Sequence, residues 1–336
     1  MTEQELYQQY KKKLEPQLKS LEGKRIRIQL LYYLAIIIFV TMVWVMSNEV
    51  MPFVPTLFIL IFAEAFTIVF VNIQLKSYRE TFKSQVVGKI VSLVNKGYSY
   101  KHEQHISIKT FNESKIFALR AAHVMGDDYI KGKVKNTQFA FSELRAWSRT
   151  REIKRPNILA VLIRYMFSLR RIQYLDQYRK NGGLIFKGLF FHADFNKQLS
   201  ESTFVLPDFA EKMIGKSGQM FQRSGFHGQL VKLENPDFEK QFVVYSTSQQ
   251  EARYVLTPHM MEAILTIKTK YKKKMHLSFA GSNVNLAIRF SKGLFEPRIH
   301  TSGVRFSDIV KMFDMLNLIE TIITEMNLNT RIWTKE

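Results

Sequence analysis

Two long apolar runs stand out in the first quarter of the chain. Leu30–Met46 contains no charged residue, and Phe53–Leu75 contains Glu64 as its only one. Each run approaches the roughly 20 residues that a helix needs to cross a bilayer. Because the connection between them is long enough only for a turn, the pattern predicts a transmembrane helical hairpin over 30–75. The alternatives are a buried core hairpin and a cleaved signal peptide, and the second run argues against the latter.

Apolar residues continue at helical spacing on both sides of this hairpin. They recur three and four positions apart at Tyr7, Tyr10, Leu14, Leu18 and Leu21, and again at Leu75, Tyr78, Phe82, Val86, Ile90 and Leu93. This period places each set on one helical face. It predicts a cytoplasmic helical segment over 1–29, bent at Pro16 and Gly23, and a stalk helix over 76–97. The two helices either pack together or pack separately on the folded domain.

After Gly97 the pattern changes to short alternating segments separated by turn residues. Strand hairpins are predicted for Asp128–Lys133 with Thr137–Ala146 and for the two halves of His276–Phe290. A further strand pair is predicted for Leu184–Phe195 with Ser202–Leu206. Early strand or mixed structure is predicted for His105–Thr110 and Lys115–Arg120. Helices are predicted from Thr257 to Tyr271 and from Ser307 to Met326. The order lacks βαβ alternation, so the predicted class is α+β. The predicted domain spans 98–336, and a division into two subdomains near 150–182 stays open.

Charge places this domain and orients the hairpin. The net charge is +3 over residues 1–29, −2 over 30–75 and +19 over 76–336. Basic residues lie near the outer ends of both runs, whereas the turn has none, so the positive-inside rule predicts an inner-membrane protein with both termini in the cytoplasm. A domain this basic attracts polyanions. An anionic membrane surface is favoured, because a nucleic-acid binder would be expected to carry an aromatic-basic motif, which is absent.

The segment Arg145–Lys180 contains the clearest lipid-surface pattern. Its apolar residues trace one side of a helix, with Arg164 and Arg171 on the other side and Arg170 near the margin. A basic amphipathic helix of this kind can lie in the headgroup layer. The alternative is a core-packed helix whose arginine face is solvated.

Glu64 is the remaining polar feature of the predicted spans. Glu64 lies near the centre of the second predicted span, where an ionised carboxyl group is costly unless it is protonated, paired or turned toward another helix. It is either a proton- or ion-linked site or a hydrogen-bonding contact that holds the hairpin or an oligomer together.

Candidate chemistry elsewhere is sparse. The chain has no cysteine, which excludes disulfides and cysteine-bound zinc. His102 and His105 could share a face with Glu103, but a metal needs a further ligand. His192-Ala193-Asp194 places two polar groups on one strand face. We predict no catalytic residue, no metal site and no cofactor.

Four segments carry a resemblance to a known family. They are Phe186–Lys197, Leu233–Tyr245, Glu251–Glu262 and Phe139–Leu144, accompanied by the paired N-terminal spans. Together they resemble a bacterial family of two-span membrane proteins classified as domain of unknown function 3137, over the chain from the anchor to about Pro297. The resemblance implies a bacterial membrane protein without an assigned activity. It also implies a genomic association with LemA-like membrane proteins, which makes one of these a candidate partner.

Two functions follow as hypotheses. The first is a membrane-anchored cytoplasmic scaffold that docks a protein partner, either a LemA-like protein or a second copy, and that contacts anionic lipid. The alternative is a membrane-bound enzyme that acts on lipid or envelope precursors through carboxylates such as Asp194 or Glu251.

Overall fold

The computed structural model describes residues 3–47, 53–117, 119–148, 183–195, 197–207, 228–290 and 293–326. The chain divides into two compact units. Of the described residues, the first unit takes 3–47, 53–90 and 295–312, and the second takes the rest.

Long helices build the first unit. Helix α1 (Glu3–Gln9) passes through a wide π turn (Tyr10–Leu14) into α2 (Glu15–Ser47). Helix α3 (Phe53–Phe82) passes through a second π turn (Lys83–Val87) into α4 (Gly88–Val94). The bend expected near Pro16 corresponds to the π turn that ends just before it. Pro16 itself lies in the first turn of α2, where a helix tolerates proline. The helix is not interrupted at Gly23, since α2 continues through this residue.

Helices α2 and α3 pack against each other along a seam with a seven-residue repeat. On the N-terminal side of the hairpin every seventh residue is buried, at Leu14, Leu21, Ile28, Ala35 and Met42. On α3 buried residues recur at alternating spacings of four and three, at Glu64, Ile68, Val71, Leu75, Tyr78 and Phe82, and Thr67 is buried beside them. This repeat is typical of left-handed coiled-coil packing. Because the seam joins the helices directly, it favours the paired stalk over separate packing.

Apolar side chains on the outer faces of these helices are exposed. On α2 they include Leu30, Leu34, Ile37, Val40 and Trp44, and on α3 Phe58, Ile59, Phe62, Phe66 and Ile73. Both helices are long and apolar enough to cross a membrane. A core helix of a soluble protein would bury such residues, so their exposure supports membrane anchoring.

The second unit is built on an antiparallel sheet. Its strands are β1 (Ser99–Lys101), β2 (His123–Val134), β3 (Thr137–Trp147), β4 (Leu184–Asp194), β5 (Thr203–Pro207), β6 (Gln229–Val231), β7 (Phe242–Ser246), β8 (Met275–Ala280) and β9 (Asn283–Arg289). They lie in the order β1-β2-β3-β4-β9-β8-β5-β7-β6, and every neighbouring pair is antiparallel. The remaining helices are α5 (Ile108–Glu113), α6 (Pro236–Glu239), α7 (Gln249–Val255), α8 (Pro258–Tyr271) and α9 (Phe306–Glu325). The residues of α9 up to Met312 belong to the first unit and the rest to the second. The predicted α+β class is confirmed.

Local signals predicted the hairpins and long helices well. The β2–β3 and β8–β9 hairpins and the helices α8 and α9 are confirmed. The Thr257 side chain caps α8 by accepting the Met260 N–H. The pairing of Leu184–Phe195 with Ser202–Leu206 is wrong. Strand β4 pairs with β3 and β9, whereas β5 pairs with β7 and β8, because the β8–β9 hairpin is inserted between them.

The segment predicted as early strand or mixed structure contains a helix. Ser107 accepts the Thr110 N–H at 3.1 Å and starts α5, and residues 115–117 follow without a strand. Helix α5 covers one face of the sheet, where the Phe111 ring lies 5.2 Å from Phe190. On the opposite face, Tyr98 packs edge-on against Phe139 and donates a hydrogen bond to Glu320 at 2.7 Å.

Gly188 allows two central strands to approach closely. Its φ is +157°, and a Cβ at this position would stand 2.0 Å from the backbone oxygen of Ile288 on β9. Gly132 fills a similar role on β2, where a Cβ would meet the Tyr98 ring at 2.4 Å. Gly132 and Gly188 therefore both lie inside strands.

Candidate functional site

An open cleft of about 620 Å³ lies on one face of the sheet in the second unit. The lining residues that bear chemistry are Glu103, His105, Tyr129, Lys131 and His192. The first two come from the loop after β1, the next two from β2 and the last from β4. The fold thus brings His105 and His192 to one site although they are far apart in sequence.

A row of directly opposed residues forms the floor of this cleft and continues into the sheet. Lys131 pairs with Ala140, Ala140 with His192, His192 with Asn285, and Asn285 with Ser278. Directly opposed residues on neighbouring strands project to the same face. A polar row therefore crosses a face that elsewhere packs Phe186, Phe190 and Ala287.

Hydrogen bonds along this row orient His192. Ser278 Oγ donates to the Ser114 carbonyl at 2.6 Å and accepts from Asn285 Nδ2 at 3.2 Å. Asn285 then presents Oδ1 to His192 Nδ1 at 2.7 Å. Since that oxygen can only accept, Nδ1 carries the hydrogen, and in the neutral ring Nε2 keeps the lone pair. Asn285 and Ser278 are both buried, so water does not compete with the network.

His105 is oriented in the same way. Its Nδ1 lies 2.8 Å from the carbonyl oxygen of Ile106, which can only accept. Nε2 of the neutral ring is again the atom with a free lone pair. The two histidines of the cleft thus have matching tautomers.

The loop that carries Glu103 and His105 is held to the sheet on both sides. The Ile106 N–H donates to the buried Ser142 Oγ at 3.0 Å, and the Asp128 N–H donates to the His102 carbonyl at 3.2 Å. Asp128 has a φ of 58° at the bulge of β2 and accepts from the Tyr100 hydroxyl at 2.6 Å. Burial, together with the Asp128 carboxylate, raises the pKa of Tyr100. This wall of the cleft is therefore preorganised.

The arrangement does not form a metal centre of the usual kind. Within the part of the chain that the structure describes, no three His, Asp or Glu side chains come together as metal ligands. His102 is not among the lining residues of the cleft. The cleft can instead offer one ammonium group, one carboxylate and two imidazole acceptors to a polar ligand.

The carboxylate of Glu251 is held by backbone hydrogen bonds. Its two oxygens accept the N–H groups of Ser200 at 3.2 Å and Glu201 at 2.9 Å. Nearby, Lys197 donates to the Tyr254 carbonyl and lies 4.1 Å above that ring, and burial lowers the pKa of Lys197. These contacts fasten the loop after β4 to α7, a role that the sequence did not indicate. Asp194 ends β4 opposite Asn283.

Glu64 lies inside the seam between α2 and α3 and is 7% exposed. Its Oε2 atom is buried and has no hydrogen-bond partner in the described residues. Thr67, one turn further on, donates to its own helix at the Ala63 carbonyl. Glu64 is therefore turned toward the hairpin interior. The lipid-surface candidates Arg164, Arg170 and Arg171 lie outside the described residues.

At the end of the predicted spans, a segment over 295–305 binds the hairpin helices. Arg25, which is 7% exposed, donates to the Ile299 carbonyl at 2.9 Å and pairs with Glu22 at 2.9 Å. The Gly303 N–H donates to Glu22 at 3.2 Å, and Glu296 lies 3.3 Å from both Arg79 and Lys83. Arg25, Arg79 and Lys83 are among the basic residues near the outer ends of the apolar runs on which the predicted orientation rests, and all three thus have partners within the protein. No periodicity in the sequence marked this segment.

A comparison with protein families finds a match over part of the chain. Residues 184–328 match the family model described as "Protein of unknown function (DUF3137)". This region contains three of the four segments that carried the resemblance. No protein of curated function matches the sequence at a significant level.

A solved structure also aligns with the chain. It is the crystal structure of the mycobacterial trehalose monomycolate transport factor A, TtfA, with 8% sequence identity and a TM-score of 0.32. The alignment covers 72% of this chain and 97% of that chain. A score this low carries no argument about fold or activity.

Proposed function

We propose that this chain, whose residues 184–328 match the DUF3137 family model, is a membrane-anchored binding protein with its basic domain in the cytoplasm. The exposed apolar surface of α2 and α3 is the observation that carries the anchor. In solution this surface would aggregate, whereas in a bilayer it faces lipid chains. The binding role rests on the charge of +19 over residues 76–336 and on the polar cleft.

The absence of cysteine makes the orientation directly testable. Asn48→Cys places a thiol in the short connection between the two apolar runs, and Lys101→Cys places one on exposed β1. In intact cells of a bacterial expression host, a membrane-impermeant maleimide should label the first variant, and should label the second only after lysis. The opposite pattern would overturn the cytoplasmic placement.

The proposed partner is another membrane protein, either a second copy or a LemA-like protein. The full-length chain, purified in mild detergent from its native membrane, should migrate with a mass above that of one chain, and quantitative mass spectrometry should give a fixed stoichiometry. A monomer without a stoichiometric companion would overturn the docking role.

Contact with anionic lipid is proposed for the predicted amphipathic segment that carries Arg164, Arg170 and Arg171. In nanodiscs of phosphatidylglycerol, trypsin should cleave within 155–180 at least several-fold more slowly than in phosphatidylcholine, because headgroups shield a bound helix. Cleavage after Lys101 and Lys133 serves as the internal control. Equal rates in both lipids would remove this part of the proposal.

A further inference from the structure

The geometry points to the cleft between Lys131, His105 and His192 as a binding site for a small phosphate ester that carries hydroxyl groups. This inference goes beyond the docking role and stands on the second unit alone. Both histidines are oriented by hydrogen bonds through Nδ1, His105 to the Ile106 carbonyl and His192 to Asn285 on the neighbouring strand β9.

The spacing of the polar row fits such a ligand. Lys131 and His192 are separated by β3, so their backbones lie two strand spacings, roughly 10 Å, apart. The residue between them is Ala140, whose side chain leaves the floor open. Lysine is a flexible point charge that suits phosphate, and its long side chain shortens the gap to His192.

The tautomers define the rest of the ligand. No hydrogen bond to either Nε2 occurs within the described residues, so each is open to a donor. Hydroxyl groups are donors of this kind, and the Glu103 carboxylate in the same cleft accepts from hydroxyls as well. A ligand with one phosphate and several hydroxyls can use Lys131 and these acceptors together, whereas inorganic phosphate brings a similar charge without the alcohol hydroxyls.

This chemistry occurs both in soluble glycerol phosphates and in phosphatidylglycerol headgroups. The first probe is therefore sn-glycerol 3-phosphate, titrated into the full-length, ¹⁵N-histidine-labelled protein in detergent. Glycerol and inorganic phosphate are the matched partial ligands. His105→Gln and His192→Gln assign the two ring resonances, and nanodiscs of phosphatidylglycerol and phosphatidylcholine test the lipid source.

We expect saturable shifts of both histidine resonances with glycerol 3-phosphate, at concentrations at least tenfold lower than with either partial ligand. Lys131→Gln should weaken binding about tenfold, because a charge-assisted hydrogen bond is lost. Lys133→Gln is the control, since Lys133 is exposed on the same face of β2 and does not line the cleft. If only phosphatidylglycerol nanodiscs shift the resonances, and Lys131→Gln abolishes the shift, the headgroup is the ligand.

Three results would overturn the assignment. One is the absence of saturable shifts with glycerol 3-phosphate and with phosphatidylglycerol. Another is equal weakening by Lys131→Gln and Lys133→Gln, which would indicate general charge attraction. The third is binding that persists unchanged in both His105→Gln and His192→Gln, provided that each variant keeps the wild-type unfolding temperature.

Discussion

His192 donates its Nδ1 hydrogen to Asn285 Oδ1 across 2.7 Å, which connects the surface cleft to a buried network. Through Asn285 and Ser278, the imidazole is held by the Ser114 carbonyl at the end of α5. A side chain held by buried hydrogen bonds loses little further entropy when a ligand binds. The same contact makes the orientation of the ring sensitive to a substitution beneath it.

Asn285→Leu should therefore destabilise the protein and release His192. The change leaves the buried Ser278 hydroxyl without a donor and His192 Nδ1 without an acceptor, at a cost of about 1–3 kcal/mol. Thermal unfolding of the full-length protein measures the loss, and ¹⁵N shifts of the ring report a mixture of tautomers. Asn283→Ala at the start of β9 is the control, with little change expected. Unaltered tautomer populations in Asn285→Leu would show that Asn285 does not orient the His192 ring.

Replacing Glu64 should separate its structural and functional interpretations. A buried carboxyl group without a partner is costly in a bilayer, so Glu64→Leu should keep or raise the unfolding temperature in detergent. Thr67→Val, on the same buried face, is the control. If Glu64→Leu unfolds at a lower temperature than Thr67→Val, the carboxyl group is a structural contact.

Acid should destabilise the sheet through His276. Burial, and next the positive charge of Arg289, lowers the pKa of His276 to about 4, and its Nδ1 atom has no partner in the described residues. The unfolded chain binds a proton below about pH 6.5, whereas the folded state resists protonation until about pH 4. Stability should fall by about 3 kcal/mol as pH drops through this window. Denaturation of His276→Asn should show a smaller loss across it, and an identical profile in both proteins would refute the assignment.

Gly188→Ala should be among the most damaging single changes in the sheet. The added Cβ would stand 2.0 Å from the Ile288 oxygen, so β4 and β9 would have to separate. Losses above about 4 kcal/mol are exceptional and arise from such backbone clashes. Gly183→Ala is the control, because its Cβ would meet only the Ser148 hydroxyl, at 3.7 Å. Urea denaturation compares the two, and equal midpoints would contradict the close approach.

The sequence predicted those elements whose signals are local. The β8–β9 hairpin is marked by its Gly281 turn and α8 by its Thr257 cap, and both formed as expected. Strand partners across long connections carry no comparable signal, which is why the neighbour of β4 was misassigned. The segment 105–110 was misassigned because Ser107 can equally begin a helix.

The candidate site was predicted only as isolated residues. His105 and His192 were noted separately, but their meeting depends on the order of β2, β3 and β4 and on a loop fixed by Ser142. Lys131 had no distinguishing context in the sequence. Glu64 was singled out in the sequence, although periodicity alone could not say that it faces the opposite helix.

The uninterrupted repeat from Leu14 to Met42 makes the hairpin behave as a stiff lever. Its seam continues across the boundary between apolar and polar residues without a hinge or a change of phase. A thinner or thicker bilayer, which apolar helices accommodate by tilting, would therefore swing the stalk as well. In a membrane-spanning hairpin, a change of bilayer thickness would thereby become a rotation of the stalk helices.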